Sequence, residues 1–151
     1  MPNAQSLMPS LIPHPLFMSN YLFVYGTLKR RSRHPMAGRL AKTARLAGAA
    51  RIAGRLYDLG RFPGLKEPHS PHDWVQGDAY DLGENTLGIL QEMDAYENAE
   101  SPPPTPYERQ VNTVLLADGR ALLAWVYWYR GAVREDQFIA SGSYEQNCDP
   151  A

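Results

Sequence analysis

The feature that most restricts the fold is a pair of β-prone segments on either side of Asp118-Gly119. The first segment runs from Tyr107 to Leu116 and the second from Ala121 to Tyr129, and both are rich in β-branched, aromatic and aliphatic residues. An Asp-Gly pair is typical of a type I′ hairpin turn, which needs positive φ at both central residues. The pattern therefore predicts an antiparallel hairpin of two long strands.

Other parts of the chain also have strand patterns. Three further stretches are predicted as strands: Tyr21 to Tyr25, Ala44 to Leu59 and Trp74 to Leu82. The first is a continuous apolar run that Gly26 ends, as expected of a buried strand. The stretch from Ala44 to Leu59 fits one long strand or two, with Gly48, Gly54 and Gly60 as bends or bulges.

Helical spacing is clearest between Glu84 and Tyr96, where Leu87, Leu90 and Met93 recur every three residues. Weaker helical patterns cover residues 34–43 and 135–143, whereas loops are predicted for residues 61–73 and for the proline-rich residues 98–106. Strands with a few inserted helices indicate an α+β fold. We expect a small, mostly antiparallel or mixed β-barrel with a few flanking helices.

The length of 151 residues fits one domain. Residues 1–20 carry no charged side chain and four prolines, so we expect a poorly ordered extension, then a domain over residues 21–145 and a tail over 146–151. Cys148 is the single cysteine, which predicts a reducing compartment, and hence the cytoplasm. No apolar run reaches the roughly 20 residues that a membrane span requires, so no membrane partner is expected.

Charge is unevenly distributed, although the formal net charge is only -1. The segment from Lys29 to Arg61 holds ten Lys or Arg residues and one acid, Asp58. Such a segment could bind nucleic acid or another acidic partner. It lacks an array of aromatic residues for base stacking and an evident recognition helix, so a solvated basic face is the preferred interpretation and nucleic-acid binding the alternative.

Two short features have chemical potential. The sequence Tyr25-Gly26-Thr27-Leu28 follows the first strand, and a glycine there lets backbone N–H groups face outward, where they can bind a carboxylate or an oxyanion. Glu97 comes where the predicted helix stops, a position that the helix dipole disfavours for an acid and that suits a general base. Taken singly, each feature is better explained without a function, the first as a simple turn and the second as a solvated glutamate.

Five motifs in order resemble the γ-glutamylcyclotransferase-like family, also described as AIG2-like. They are Phe23 to Lys29, Gly54 to Gly64, Val75 to Tyr80, Leu90 to Glu97, and Tyr107-Glu108-Arg109. The resemblance spans about Tyr21 to Trp128, and the motifs are specific jointly rather than singly.

The resemblance implies a small barrel with a pocket at one end and cleavage of γ-glutamyl amides to 5-oxoproline and an amine. It implies that Glu97 is the catalytic acid/base and that Tyr25, Gly26, Thr27 and Leu28 form the substrate-binding loop. Tyr107 would lie near the pocket, and Arg109 would support it or pair with an acid such as Asp94. The substrate's own α-amine is the nucleophile in this reaction, so neither a metal nor another cofactor is expected.

The sequence departs from the family pattern after Glu97 and in the loop, and the second of these departures bears on the substrate. Asn98 stands where the family often has glycine, and the loop reads Gly-Thr-Leu where the glutathione-specific branch has Gly-Ser-Leu. We therefore expect a γ-glutamyl-amino acid or γ-glutamyl-amine as the small-molecule partner rather than glutathione. The alternative within the same fold is a catalytically silent module that binds a ligand or a partner. The identity of the leaving amine and the oligomeric state are not readable from the sequence.

Overall fold

The computed structural model describes residues 19–26, 40, 42–60, 62–100 and 107–144. For residues 96–100 it describes the backbone alone. Within these ranges the strands are β1 (Tyr21–Val24), β2 (Arg45–Ala53), β3 (Arg55–Asp58), β4 (Pro63–Lys66), β5 (Trp74–Asp81), β6 (Tyr107–Leu116) and β7 (Ala121–Tyr129). Helix α1 (Thr86–Glu100) follows a 3₁₀ turn at Gly83–Asn85.

Five strands close a barrel in the order β1-β5-β2-β6-β7, and β3 pairs with β4 in a separate two-stranded sheet. Neighbours in the barrel are antiparallel, except that β1 meets β7 in parallel at Leu22 and Trp125. The predicted α+β class with a small mixed barrel is therefore confirmed.

Strand β1 is buried on both faces, which explains its continuous apolar run. Phe23 and Tyr25 belong to the cluster that fills the barrel, whereas Leu22 and Val24 belong to a second cluster on the outer face. Successive side chains of a strand point to opposite faces, so one short strand contributes to both layers. The strand thus holds the barrel interior and its outer cover together.

Helix α1 covers the outer face of the barrel. Ile89, Leu90 and Met93 are almost fully buried and pack into the same cluster as Leu22 and Val24. The helix begins where the Thr86 hydroxyl donates to the Gly83 carbonyl at 2.7 Å. It runs four residues beyond the predicted end at Tyr96, as far as Glu100, so the expectation that residues 98–106 are wholly irregular was wrong for its first three residues.

Two other expectations fail because contacts distant in sequence override local pattern. Residues 61–73 were predicted as loop, but Pro63–Lys66 pairs with Arg55–Asp58 as strand β4. Residues 135–143 were predicted as helical, but only Glu135–Gln137 forms a 3₁₀ turn, and Phe138 then bridges to Tyr57. The stretch from Ala44 to Leu59 forms the two strands β2 and β3, with a bulge between Leu46 and Gly48.

The hairpin of β6 and β7 has the predicted strands, but its turn differs from the predicted type. The Leu116 N–H bonds the Arg120 carbonyl at 2.8 Å, and the Gly119 N–H bonds the Leu116 carbonyl at 2.9 Å. Gly119 lies in the left-handed region, with φ at 97°. This is a three-residue connection with a bulge rather than a two-residue type I′ turn.

Ser19 and Asn20 contact the barrel although they were assigned to the N-terminal extension. The Ser19 carbonyl accepts the Trp125 indole N–H at 2.9 Å, and the Asn20 carbonyl accepts the Leu82 N–H at 2.7 Å. Residues 1–18 and 145–151, including Cys148, lie outside the described residues. Across the described ranges, helices long and apolar enough to cross a membrane are absent.

Candidate functional site

The end of strand β1 presents the first two residues of the predicted substrate loop. Tyr25 is 6% exposed, and its hydroxyl donates to the Tyr127 carbonyl at 2.5 Å. Gly26 lies against Pro63, so that a Cβ built on Gly26 would be 2.8 Å from the Pro63 Cγ atom. Glycine is required here for close approach rather than for positive φ. Thr27 and Leu28, the other two predicted loop residues, lie outside the described residues.

The backbone of Glu97, the predicted catalytic residue, lies in the last turn of helix α1. Its position near the helix C-terminus agrees with the sequence argument, and its side chain is among those not described. Asp94 precedes it by three residues, and residues at this spacing lie on the same side of a helix. The contacts of Asp94 therefore indicate where this part of the helix is attached.

Asp94 joins helix α1 to the β6–β7 hairpin. Its two carboxylate oxygens accept from Arg109, Nε to Oδ1 at 2.9 Å and Nη2 to Oδ2 at 3.0 Å. The Tyr127 hydroxyl also donates to Oδ1, at 2.5 Å. A bidentate pair of this kind fixes orientation as well as distance. The expected pairing of Arg109 with a nearby acid is present in the structure.

Arg109 is itself held from a second side by strand β7. Its guanidinium carbon lies 4.6 Å from the ring centroid of Trp125. The ring face and the carboxylate together limit the guanidinium to one position, since Arg stacks on an aromatic face and forks onto a carboxylate at the same time. Arg109 therefore links strand β7 and helix α1 through two separate contacts.

Tyr107, predicted to lie near the pocket, begins strand β6 within a group of aromatic rings. Its ring centroid is 6.0 Å from that of Phe62 and 5.3 Å from that of Tyr129, both edge to face. Its hydroxyl donates to the Pro63 carbonyl at 2.6 Å. Pro63 thus contacts both Gly26 and Tyr107, and strand β4, which the sequence did not predict, brings these two predicted site residues together.

Tyr127, which no motif of the sequence predicts, contacts both the residue that begins the predicted loop and helix α1. Its carbonyl receives the Tyr25 hydroxyl, and its own hydroxyl reaches Asp94. A tyrosine in a strand pattern is typical of packing, and 102 residues separate it from Tyr25, so local sequence holds no signal for this contact. Asp78, for which the sequence predicts no function, is a buried acid paired in register with Val24 at the end of β1.

The described arginines of the basic segment contact neighbouring groups of the same chain. Arg45 pairs with Asp81 at 3.1 Å, and Arg51 lies 4.3 Å from the Trp74 ring centroid. Arg55 donates to the Tyr57 hydroxyl, and this bond, with Glu135 and Asp73 nearby, raises the pKa of the guanidinium. Lys29 to Arg33, the most basic part of the segment, lie outside the described residues.

Among the residues that the structure describes, groups of three or more His, Cys, Asp or Glu side chains close enough to hold a metal ion are absent. His69 and His72 are both exposed. Their backbone N–H groups cap a turn, with His69 donating to Asp73 at 2.7 Å and His72 to Ser70 at 3.1 Å.

Two comparisons with known proteins indicate the same family for this chain. The family profile described as "Gamma-glutamyl cyclotransferase, AIG2-like" matches residues 22–146. A Vibrio cholerae protein named "Putative gamma-glutamylcyclotransferase" is 32% identical over 130 residues, which are 85% of this chain and 98% of that protein.

Solved structures share the fold at lower identity. A mouse AIG2-like protein superposes with a TM-score of 0.60 at 22% identity, over 83% of this chain and 87% of that one. YkqA from Bacillus subtilis gives a TM-score of 0.62 at 22% identity, and the match covers 85% of this chain but only 40% of YkqA. With the family match extending from β1 to the end of the described chain, this protein belongs to the AIG2-like γ-glutamyl cyclotransferase family.

Proposed function

We propose that the protein converts a γ-glutamyl amide, either a γ-glutamyl-amino acid or a γ-glutamyl-amine, into 5-oxoproline and a free amine. The α-amine of the glutamyl group attacks the carbonyl carbon of its own side chain. A new C–N bond closes the five-membered ring, and the C–N bond to the leaving amine breaks. Atoms balance without water, because the proton lost by the attacking nitrogen is the one that the leaving nitrogen gains.

Glu97 is the residue that we assign to both proton transfers. A carboxylate can take the proton from the attacking amine and return it to the leaving nitrogen. The substrate supplies the nucleophile, so we propose a reaction without a metal or another cofactor. As the only cysteine, Cys148 leaves the chain without an internal disulfide, and we assign the reaction to the cytoplasm.

The loop that begins with Tyr25 and Gly26, and continues through Thr27 and Leu28, is assigned to substrate binding. Backbone N–H groups of this loop would stabilise the negative charge that develops on the carbonyl oxygen. Tyr107 is assigned to the wall of the pocket, because its hydroxyl and ring are fixed by Pro63, Phe62 and Tyr129. Holding the glutamyl chain folded for ring closure contributes the proximity effect, which can be large.

The observation that supports this assignment most is the shared attachment to Tyr127. Tyr25, which begins the loop, bonds the Tyr127 carbonyl, and Asp94, one turn before Glu97, bonds the Tyr127 hydroxyl. Loop and helix come from segments about 70 residues apart in the chain, yet both are fixed to one residue of β7. This arrangement is what a site built from the loop and Glu97 requires.

The test is release of 5-oxoproline from a panel of γ-glutamyl-amino acids and γ-glutamyl-amines. We expect turnover by the wild type and a loss of at least about 10²-fold in Glu97→Gln, which keeps the size of the side chain but not the proton transfer. Glu84→Gln, at an exposed glutamate of the 3₁₀ turn before α1, is the matched control and should keep wild-type activity.

Two outcomes would contradict the proposal. Near-normal turnover by Glu97→Gln would show that Glu97 does not carry out the proton transfers. Binding of a γ-glutamyl compound without any turnover by the wild type would instead support the silent binding module. The leaving amine is identified by the panel member with the highest kcat/KM.

A further inference from the structure

We propose that Asp94 is a positioning residue that holds the last turn of helix α1, and with it Glu97, against the β6–β7 hairpin. The proposal rests on the proposed function, because it assigns Asp94 a task in the cyclisation that Glu97 carries out. The described contacts of Asp94 are all with groups of the protein. Its effect on the reaction is therefore exerted through the helix backbone.

The buried apolar side chains of α1 that the structure describes all precede Asp94. Ile89, Leu90 and Met93 are the buried apolar residues of α1 among those whose side chains are described, and Met93 immediately precedes Asp94. Beyond this point, at residue 95, the described side chain is exposed. The end of a helix frays readily, because its last four carbonyls have no partner within the helix.

The carboxylate of Asp94 supplies three directed contacts at this position. Arg109 donates twice from strand β6, and Tyr127 donates once from strand β7. Arg109 cannot follow the helix outward, because its guanidinium also stacks on Trp125. Three hydrogen bonds from two neighbouring strands fix the distance of the helix from the barrel and its rotation about its own axis. They do so one turn before Glu97.

Because the Asp94–Arg109 pair is partly exposed, its main effect is to orient the end of the helix rather than to stabilise the fold. The Asp94 side chain is 38% exposed and that of Arg109 is 25% exposed, and ion pairs of this kind contribute little to the free energy of unfolding. A misplacement of about 1 Å in a reacting group, by contrast, can cost roughly 10²-fold in rate. Loss of Asp94 should therefore slow catalysis far more than it unfolds the protein.

Tyr25 is attached to the same residue of β7 but by a separate bond. Its hydroxyl meets the Tyr127 carbonyl, which strand β7 holds in place whether or not Asp94 is present. The two attachments are therefore independent, one for the helix and one for the loop. This separation predicts that breaking the helix attachment lowers kcat, whereas breaking the loop attachment raises KM.

The experiment compares Asp94→Asn, Tyr127→Phe and Tyr25→Phe with the wild type in full kinetic assays of 5-oxoproline release. We expect Asp94→Asn to lower kcat by roughly 10- to 100-fold with KM within about twofold. Tyr127→Phe removes one of the three bonds and should have a smaller effect in the same direction. Tyr25→Phe should raise KM about two- to tenfold, the value of one hydrogen bond.

Asp118→Asn is the matched control, because Asp118 also accepts from an arginine Nε at 2.9 Å, that of Arg120 in the β6–β7 turn. It should leave kcat and KM unchanged. An Asp94→Asn variant with wild-type kcat, or one that changes only KM, would overturn the positioning role.

A second measurement does not depend on turnover. Hydrogen exchange of the backbone amides at residues 97–100 should be at least about tenfold faster in Asp94→Asn than in the wild type, and unchanged in Asp118→Asn. If the wild type turns over no panel member, the proposed function fails, and exchange alone then decides whether Asp94 holds the helix end. Unchanged exchange at residues 97–100 would overturn that role as well.

Discussion

At the scale of single residues, Pro63 explains why the chain has glycine at position 26. The pyrrolidine ring of Pro63 occupies the space that a side chain at position 26 would take. The backbone carbonyl of Pro63 accepts a hydrogen bond from the Tyr107 hydroxyl. A proline ring cannot rotate away as a flexible side chain can. The conformation of the strand end that begins the candidate loop therefore depends on a residue 37 positions later in the chain.

Substitution of Gly26 by Ala tests this contact. The new Cβ would lie 2.8 Å from the Pro63 Cγ atom, which is closer than carbon atoms can approach without a shift of the backbone. We expect the free energy of unfolding to fall by about 1–3 kcal/mol, measured by urea denaturation. The double variant Gly26→Ala/Pro63→Ala removes the opposing ring atoms, so its loss should be smaller than the sum of the two single losses. Strict additivity would show that the ring is not the obstacle.

At the scale of elements, Arg130 fixes the segment after β4 to the β6–β7 hairpin. It donates to Glu67 at 2.7 Å and to Glu108 at 2.9 Å, and lies 5.8 Å from the Trp128 ring centroid. The hydrogen bond from Arg130, with a backbone hydrogen bond of Glu67 itself, lowers the pKa of the Glu67 carboxyl below its ordinary value of 4.5. Strand β4 carries Pro63, so this link also bears on the candidate site.

The direction of that shift gives a pH prediction. A carboxyl with a lower pKa in the folded state adds stability that is fully present above the unfolded pKa, near 4.5, and is lost as the pH falls through the folded pKa. We expect Glu67→Gln to be less stable than the wild type at neutral pH, by less than about 1 kcal/mol because the pair is exposed. In urea titrations at several pH values, the difference should shrink below pH 4.5. A difference that grew toward acid pH would contradict this.

At the scale of the whole molecule, the interior of the barrel holds the larger of the two described apolar clusters. Phe23 is 1% exposed, lies in the interior cluster and stacks on Tyr25 with ring centroids 6.3 Å apart. Deleting such a ring leaves a cavity that close-packed neighbours fill only in part. The barrel also carries the candidate site, because Tyr25 directly follows the same strand and belongs to the same interior cluster.

We expect Phe23→Ala to lower the free energy of unfolding by about 3–5 kcal/mol, a large share of the total stability of a domain of this size. Leu123→Ala is the control, since Leu123 is 54% exposed on β7 and its loss should change stability by less than about 0.5 kcal/mol. Thermal and urea unfolding measure both. Equal losses in the two variants would mean that the barrel interior is not the core.

The sequence predicted elements well where one local pattern decided them. The strands of the β6–β7 hairpin, strand β1 and the body of helix α1 follow from apolar periodicity and short-range signals. The pairing of Asp94 with Arg109 was also among the expectations. Strand β4 was missed because Pro63 and Gly64 are poor strand residues, and only pairing with β3 makes them part of a sheet.

What the sequence by itself determined is therefore the class of fold, the family and the residue types available for chemistry. Only the tertiary structure decided which of those residues meet: Gly26 with Pro63, Tyr107 with Pro63, and Tyr25 and Asp94 with Tyr127. Periodicity reports which face of an element is buried, but not which residue of another element lies opposite. That partner is set by barrel closure and strand register, which bring together residues as much as 106 positions apart.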